Sequence, residues 1–367
     1  MTKIWIDIST PKQVMYFKRL IKIFREKGYE LLVTTRSYYE INYMLKLYKV
    51  DARIVGKHGG QTLKGKLLAS LDRAKELLEI VSEENPNLLI TLTSDVAARV
   101  AFGLKIPNIT CSDTPWAFAV NKLSIPYANK LLAPKATTYK DWQPFGILSE
   151  DIIYYDAVDA AAWIKYFKPD PEVLDKLKLK KEDIIVVLRA EETFAAYVLD
   201  MDIKEPVIFP TIRALLSNFS DVRIVALPRY EEHKKLFKKE FQDKIIVPDT
   251  PVDVPSLLAF ASLEMGFGGT ITQEAAILGV PAISCYFGSL WCETYLEEKG
   301  LLYKTRTPEE AAKVSVKILK NRAEYLKKHK KLAQKVLQEM EDPISKLAEV
   351  TIDFLKNKKG NSAIILF

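Results

Sequence analysis

Met265-Gly266-Phe267-Gly268-Gly269-Thr270-Ile271-Thr272-Gln273-Glu274-Ala275-Ala276-Ile277-Leu278-Gly279-Val280-Pro281-Ala282-Ile283-Ser284 decides the reading of this 367-residue chain. It reads as a strand end, a glycine turn, a helix, and a second strand opened by Gly279-Val280-Pro281. Gly266, Gly268 and Gly269 let the backbone approach a ligand closely. The hydroxyls of Thr270 and Thr272 and the first helical N–H groups then face that ligand, where the helix dipole favours negative charge. Glu274 follows one turn later. A carboxylate sits poorly beside phosphate but accepts bonds from both hydroxyls of a ribose, so the order of groups points to a nucleoside diphosphate. A plain tight turn is the competing reading, because bare glycine fingerprints are weak. No Gly-Lys-Ser/Thr follows, so this is not a P-loop. Its late position also differs from the fingerprint of an N-terminal first βαβ unit.

Working outward, apolar periodicity alternates strand and helix. Strands are expected at residues 3–8, 30–35, 53–55, 88–91 and 108–111, with helices at 13–27, 38–47, 63–85 and 95–102. Val14, Phe17, Leu20, Ile21 and Phe24 share one face of the first helix, and Gly28 ends it. Phe167-Lys168-Pro169-Asp170-Pro171 breaks the pattern and suits a linker. A second series of strands follows at 184–188, 222–226, 245–247, 263–265 and 282–284. Residues 308–359 read as helix, interrupted at Asp342-Pro343. Such alternation implies α/β architecture with parallel sheets covered by helices on both faces.

At this length two domains are expected, each burying its own core. A hydrophobic content of 48% and a charged content of 28% are those of a soluble globular protein. No apolar run approaches the roughly 18 residues needed to span a bilayer. The first residues do not form a signal peptide, and a cytoplasmic location is expected. Cys111, Cys285 and Cys292 lack metal-ligand spacing and read as reduced, inert thiols. The net charge of +7 comes largely from lysine runs in helices, which read as a Lys/Glu-rich surface of thermophilic type. No nucleic-acid motif accompanies it.

The glycine segment is similar to the donor-nucleotide motif of GT-B-fold enzymes, among them the MurG-like glycosyltransferases and the non-hydrolysing UDP-N-acetylglucosamine 2-epimerases. Ile4-Trp5-Ile6-Asp7-Ile8-Ser9-Thr10-Pro11-Lys12-Gln13, Val55-Gly56-Lys57-His58-Gly59-Gly60, Ser112-Asp113-Thr114-Pro115 and Leu227-Pro228-Arg229-Tyr230 more closely resemble the archaeal, uncharacterised DUF354 family of that superfamily. The resemblance implies a GT-B fold: two Rossmann-like, doubly wound domains facing a cleft. Residues 1–167 would carry the acceptor contacts and the base, and residues 168–341 would bind the nucleotide. Residues 342–359 would return to the first domain as a helix, leaving a tail at 360–367. It further implies a nucleotide-diphosphate sugar, foremost a UDP-sugar, as substrate, with no tightly bound cofactor and no catalytic metal. The partners expected are a glycan or lipid-linked acceptor, an anionic membrane face reached peripherally, and a second copy in a homodimer. Glycosyl transfer, 2-epimerisation and non-catalytic nucleotide-sugar binding stay open as functions. Transfer leads because the epimerases' Arg-Pro-Glu element is replaced by Tyr286-Phe287-Gly288-Ser289-Leu290-Trp291.

Candidate site residues fall at strand ends, where ligands bind in doubly wound sheets. His58, flanked by glycines, and Asp113 are the candidate bases, with Asp113 alternatively orienting His58 or capping a helix. Lys12 and Gln13 are candidates for contact with acceptor or phosphate, while Ser9, Thr10 and Pro11 suit a helix start. Arg189 and Arg229 offer guanidinium groups to a departing diphosphate. The nucleotide set is completed by Gly268, Gly269, Thr270, Thr272 and Glu274. Family patterns often place His where Trp116 stands and a basic residue where Gln273 stands. Asp200-Met201-Asp202 resembles an Asp-x-Asp metal motif in the wrong context, and His233 reads as an exposed helix residue. The helix at 13–27 reads as core-packed; its Lys18, Arg19, Lys22, Arg25 and Lys27 would otherwise suit docking on anionic lipid.

Overall fold

Apolar runs buried on both faces make parallel strands. The computed structural model describes residues 2–60, 62–191 and 205–360, and among them every strand pairing is parallel. Two compact units form: Met1–Trp163 together with the chain from Glu341 onward, and Ile164–Met340.

The first unit holds β1 (Lys3–Ile8), β2 (Glu30–Ser37), β3 (Arg53–Lys57), β4 (Leu88–Thr91), β5 (Asn108–Cys111), β6 (Lys130–Pro134) and β7 (Ile152–Tyr155), in the order β3-β2-β1-β4-β5-β6-β7. Strands added to opposite sides of β1 make the β1/β4 junction the switch point of the sheet. The Leu63–Glu84 helix packs Leu77, Ile80 and Val81 against Trp5 and Leu89, beside Val96 and Val100 of the Asp95–Gly103 helix. The Pro11–Glu26 helix starts with Pro11 in its first turn after extended Thr10, and buries Val14, Phe17, Leu20, Ile21 and Phe24. The last helix, Pro343–Gly360, packs on it, and Arg19 is taken up by Asp342 and by Ser345 Oγ (2.9 Å). Lys18 lies over the Tyr48 ring, 3.8 Å from its centre. The apolar face of this helix therefore belongs to the core and is not free for lipid.

The second unit holds β8 (Ile184–Arg189), β9 (Val222–Leu227), β10 (Leu263–Gly266), β11 (Ala282–Ser284) and β12 (Leu302–Lys304), in the order β12-β11-β10-β8-β9. Its switch point lies between β8 and β10. The strand expected at 245–247 is reduced to one bridge, Val225 to Ile246. β6, β7 and β12 have no counterpart in the sequence reading. The helical tail breaks twice, at Asn321 as well as before Pro343. Cys111, Cys285 and Cys292 are free and buried.

One buried ion pair ties the first unit together. Asp7, in the last turn-facing part of β1, is fully buried. Its Oδ1 accepts from Arg73 Nη2 and Thr34 Oγ1, each at 2.6 Å. Its Oδ2 accepts from Ser94 Oγ at 2.6 Å and Arg73 Nη1 at 3.2 Å. Arg73 Nε in turn donates to the Val55 carbonyl at 3.0 Å. Burial pushes the Asp7 carboxyl upward, but Arg73 and the two hydroxyls outweigh it and hold it below the usual range. Removing Arg73 leaves an uncompensated buried carboxylate. Arg73→Met is expected to cost about 3–5 kcal/mol in urea unfolding. Because the folded-state value is depressed, the contribution of Asp7 is complete above its ordinary range near pH 4 and is lost as pH falls through the lower, folded value. A change in unfolding free energy under about 1 kcal/mol for Arg73→Met would contradict this account.

Candidate functional site

At the β1/β4 switch point the chain turns tightly. Gln13 is buried, and its amide oxygen accepts from Ser9 N–H at 2.5 Å while its amide nitrogen donates to the Leu92 carbonyl at 2.8 Å. Gln13 thus staples the two switch-point loops rather than reaching outward to an acceptor. Thr93 sits at φ 51°, left-handed backbone that a β-branched residue rarely adopts. Strain of this kind gathers at ligand sites.

Next along the sheet, Lys12 brings two carboxylates together. Its Nζ lies 2.5 Å from Asp113 Oδ2 and 2.8 Å from Asp159 Oδ2. The Tyr155 hydroxyl donates to Asp159 Oδ1. Burial, then the charge of Asp113, raises the Asp159 carboxyl to about 6, against the opposing pull of Lys12 and Tyr155. Burial lowers the Lys12 ammonium, but Asp113 and Asp159 outweigh it and raise it above its ordinary value. A carboxyl that titrates near pH 6, joined through one lysine to a second aspartate, can exchange a proton close to neutral pH. Asp113 does not cap a helix, since the next one starts at Phe118 after Ala117. Asp159 and Tyr155 were not among the residues read from sequence. Their only signal is Tyr155-Asp156-Ala157-Val158-Asp159 at the end of β7, an edge strand that the sequence reading lacks.

His58 is not brought to this pair by the sheet. It follows β3, the opposite edge, four strand spacings from β5, or roughly 19 Å at about 4.8 Å per strand. Its Nδ1 accepts from Gly60 N–H at 3.1 Å, and its ring lies 4.8 Å from that of Tyr38. Burial, then Arg36 and Lys66, lowers its pKa, so the ring is neutral at pH 7.

In the second unit, Gly268 and Gly269 stand at φ 75° and 87° between β10 and the Thr270–Leu278 helix. A Cβ on Gly268 would run into Glu293 Oε1. That carboxylate accepts from Ser284 Oγ at 2.6 Å and pairs with Lys304 at 3.1 Å, which packs the turn from behind. No side chain caps the helix, and its first turn holds no acid. Its opening amides therefore suit an anion. Thr270 is half-buried, but Thr272 is buried and its hydroxyl donates inward to Glu264 Oε1 at 3.2 Å, so it does not face outward with Thr270. Burial raises the Glu264 carboxyl well above its usual range, and the charge of nearby Glu274 adds to this. Glu274 is itself buried on the same helix.

Arg189 ends β8 directly beside Gly266, where a Cβ would lie 3.4 Å from Arg189 Cβ. Its Nη1 donates to the Pro228 carbonyl at 2.9 Å, which sets it next to Arg229. His233 is buried rather than exposed; it stacks on Phe237 with ring centres 5.8 Å apart, and its Nδ1 accepts from Arg229 N–H at 3.4 Å. Burial, then the charge of Arg189, with Arg229 contributing, lowers it to about 4. The β8/β10 switch point thus gathers Arg189, Arg229, the glycine turn and an open helix start in one unit. Asp200-Met201-Asp202 lies outside the described residues. Among those described, no cluster of three His, Cys, Asp or Glu is placed to hold a metal ion.

A family model described as "Protein of unknown function (DUF354)" matches residues 2–356. An uncharacterized protein of Methanocaldococcus jannaschii, MJ0665, is 33% identical over 313 residues, 84% of this chain and 89% of its own. Among solved structures, the UDP co-structure of S. aureus MnaA is similar with a TM-score of 0.73 at 16% identity, covering 98% of this chain and 97% of that one. The UDP-GlcNAc 2-epimerase of Neisseria meningitidis bound to UDP-GlcNAc gives 0.71 at 14%, covering 97% and 100%. Anabaena Alr3699/HepE in complex with UDP-glucose gives 0.67 at 15%, covering 96% and 100%. At such identities the likeness is one of fold, and the α/β fold is the GT-B-like one of two Rossmann-like domains.

The acid–base pair has a direct signature. Asp159 binds its proton more tightly when folded, so between its ordinary value near 4 and about 6 stability falls as pH rises. Carbon NMR of the aspartate carboxyls should show one group titrating near pH 6. That titration should vanish in Asp159→Asn and move upward in Lys12→Met. If no aspartate titrates between pH 5 and 7, the pair is not built as described.

Proposed function

This chain belongs to the DUF354 family, and from that premise we propose that it is an enzyme acting on a nucleotide-diphosphate sugar, foremost a UDP-sugar. The observation that carries the reading is the uncapped helix start at the β8/β10 switch point, with Gly268, Gly269 and Arg189 around it. There the opening amides and Thr270 take the diphosphate, and Arg189 and Arg229 stabilise it as it leaves. Glu274 takes the ribose hydroxyls. The UDP and UDP-sugar ligands of the similarly folded proteins support a nucleotide at such a fold.

The first unit supplies the proton chemistry. In glycosyl transfer, Asp113 removes a proton from an acceptor hydroxyl. That oxygen attacks the anomeric carbon, and the C–O bond to the diphosphate breaks with its electrons leaving on the diphosphate. Lys12, 2.5 Å from its Oδ2, holds Asp113 in place for this role. Transfer is the first reading because Tyr286-Phe287-Gly288-Ser289-Leu290-Trp291 stands where the epimerases carry Arg-Pro-Glu. Epimerisation at the sugar C2 is the second reading. It is favoured by Asp159, whose proton near pH 6 beside Asp113 suits abstraction and return at one carbon.

Incubation with UDP-N-acetylglucosamine in D₂O without acceptor separates the two. Transfer predicts no deuterium at C2 and UDP release only when an acceptor is added; deuterium at C2 overturns it in favour of epimerisation. Charge on the diphosphate is met by amides and arginines, so turnover should be insensitive to EDTA. Glu274→Ala should weaken nucleotide binding by about 1.5–3 kcal/mol, roughly ten- to a hundredfold in calorimetry. Unchanged affinity in that variant removes Glu274 from the ribose site.

A further inference from the structure

Arg36, near the end of β2, is a half-buried cation that makes no ion pair among the described residues. Its Nε donates to the Ser9 carbonyl at 3.0 Å, which leaves the two terminal nitrogens of the guanidinium fork. The Asp7 carboxylate is already taken by Arg73 at 2.6 Å. Burial, then the charge of Arg73, lowers the Arg36 pKa, against the weaker opposing pull of Asp95 and Asp7. A charge drawn out of water is costly unless a counter-charge meets it.

The groups beside Arg36 are donors as well. His58 N–H donates to the Ser37 carbonyl at 3.0 Å, which seats the histidine next to the end of β2. Its Nδ1 accepts from Gly60 N–H at 3.1 Å, so the neutral ring carries its proton on Nε2, as a donor. Gly59 and Gly65 meet backbone to backbone, and a Cβ on Gly59 would lie 2.5 Å from Lys66 Cα. That contact fixes Lys66 beside the loop that carries His58. Burial lowers the His58 pKa most, and the charges of Arg36 and Lys66 both add to it. Neither His58 nor Lys66 has an acid partner among the described residues.

We propose that the carboxyl ends of β2 and β3 hold a phosphate group separate from the nucleotide. Arg36 gives its fork, His58 its Nε2–H and Lys66 its ammonium to the phosphate oxygens. The phosphate supplies the counter-charge that the half-buried guanidinium lacks. This edge is distinct from the aspartate pair, since β2 and β5 stand three strand spacings apart, roughly 14 Å at about 4.8 Å per strand. Under the transfer reading above, the phosphate is carried by the acceptor; the phosphate site itself does not rest on that reading.

The test is imidazole NMR of the full chain titrated with inorganic phosphate, with ionic strength held constant by sodium chloride. The chain has three histidines, and His233 and His329 are buried in the second unit, so the His58 signals stand apart. Millimolar phosphate is expected to shift the His58 ring saturably and to raise its pKa, because an anion favours the charged ring. The signals of His233 and His329 should stay in place. Arg36→Gln should weaken phosphate binding at least about tenfold, and Lys66→Gln about two- to fivefold. Lys66 is exposed, so its replacement should leave thermal unfolding unchanged. Phosphate should still shift His58 in the presence of saturating UDP. Loss of the shift on adding UDP assigns these groups to the nucleotide's own diphosphate and overturns the proposal. So does a response no larger than that to chloride, or one that neither variant weakens. If UDP fails to bind while His58 still responds to phosphate, the nucleotide reading falls and the phosphate site stands.

Discussion

The Asp7–Arg73 pair is the interaction on which the first unit depends. A charge inside a parallel sheet is costly unless it is paired and fully hydrogen-bonded. Here one carboxylate collects β1, the Thr34 hydroxyl of β2, the Ser94 loop after β4 and the Leu63–Glu84 helix, and its partner reaches the Val55 carbonyl of β3. Those are the elements that flank the β1/β4 switch point. Arg36 Nε adds a bond to the Ser9 carbonyl at 3.0 Å above it. The ion pair therefore fixes where the loops carrying Lys12 and Gln13 stand. It is a positioning device for the loop that carries Lys12, the partner of Asp113 and Asp159.

The two switch points carry different electrostatics. In the first unit, one ammonium is shared by two carboxylates, so the local balance is acidic and one proton is held near pH 6. In the second, two half-buried arginines stand with an open helix start, and the nearby carboxylates are buried. Burial raises the Glu264 carboxyl well above its usual range, and Glu293 is pinned by Ser284 and Lys304.

Much of this architecture was legible in the sequence because parallel strands and packed helices impose their periods locally. The first sheet's β1 to β5 and the glycine turn follow from such patterns. β7 does not, because Ile152-Ile153-Tyr154-Tyr155 is a four-residue edge strand after a run of short turns. Missing it also hid Asp159, whose meaning depends on lying near Lys12. Arg73 was not singled out, since sequence does not reveal that its side chain turns inward. His233 was misread although the signal was present. His233, Phe237 and Phe241 recur at four-residue spacing, which puts all three on the buried face. Thr272 was read outward because the buried acceptor below it, Glu264, lies on a different strand.

Under the proposed function, the β8/β10 switch point recognises a diphosphate joined to a nucleoside. Calorimetric titration with nucleoside diphosphates and with the matching nucleosides tests it most directly. UDP or another nucleoside diphosphate is expected to bind and its parent nucleoside to bind far more weakly, because the helix start and the two arginines would address the phosphates. Equal binding of nucleoside and diphosphate, or binding of neither, would contradict it.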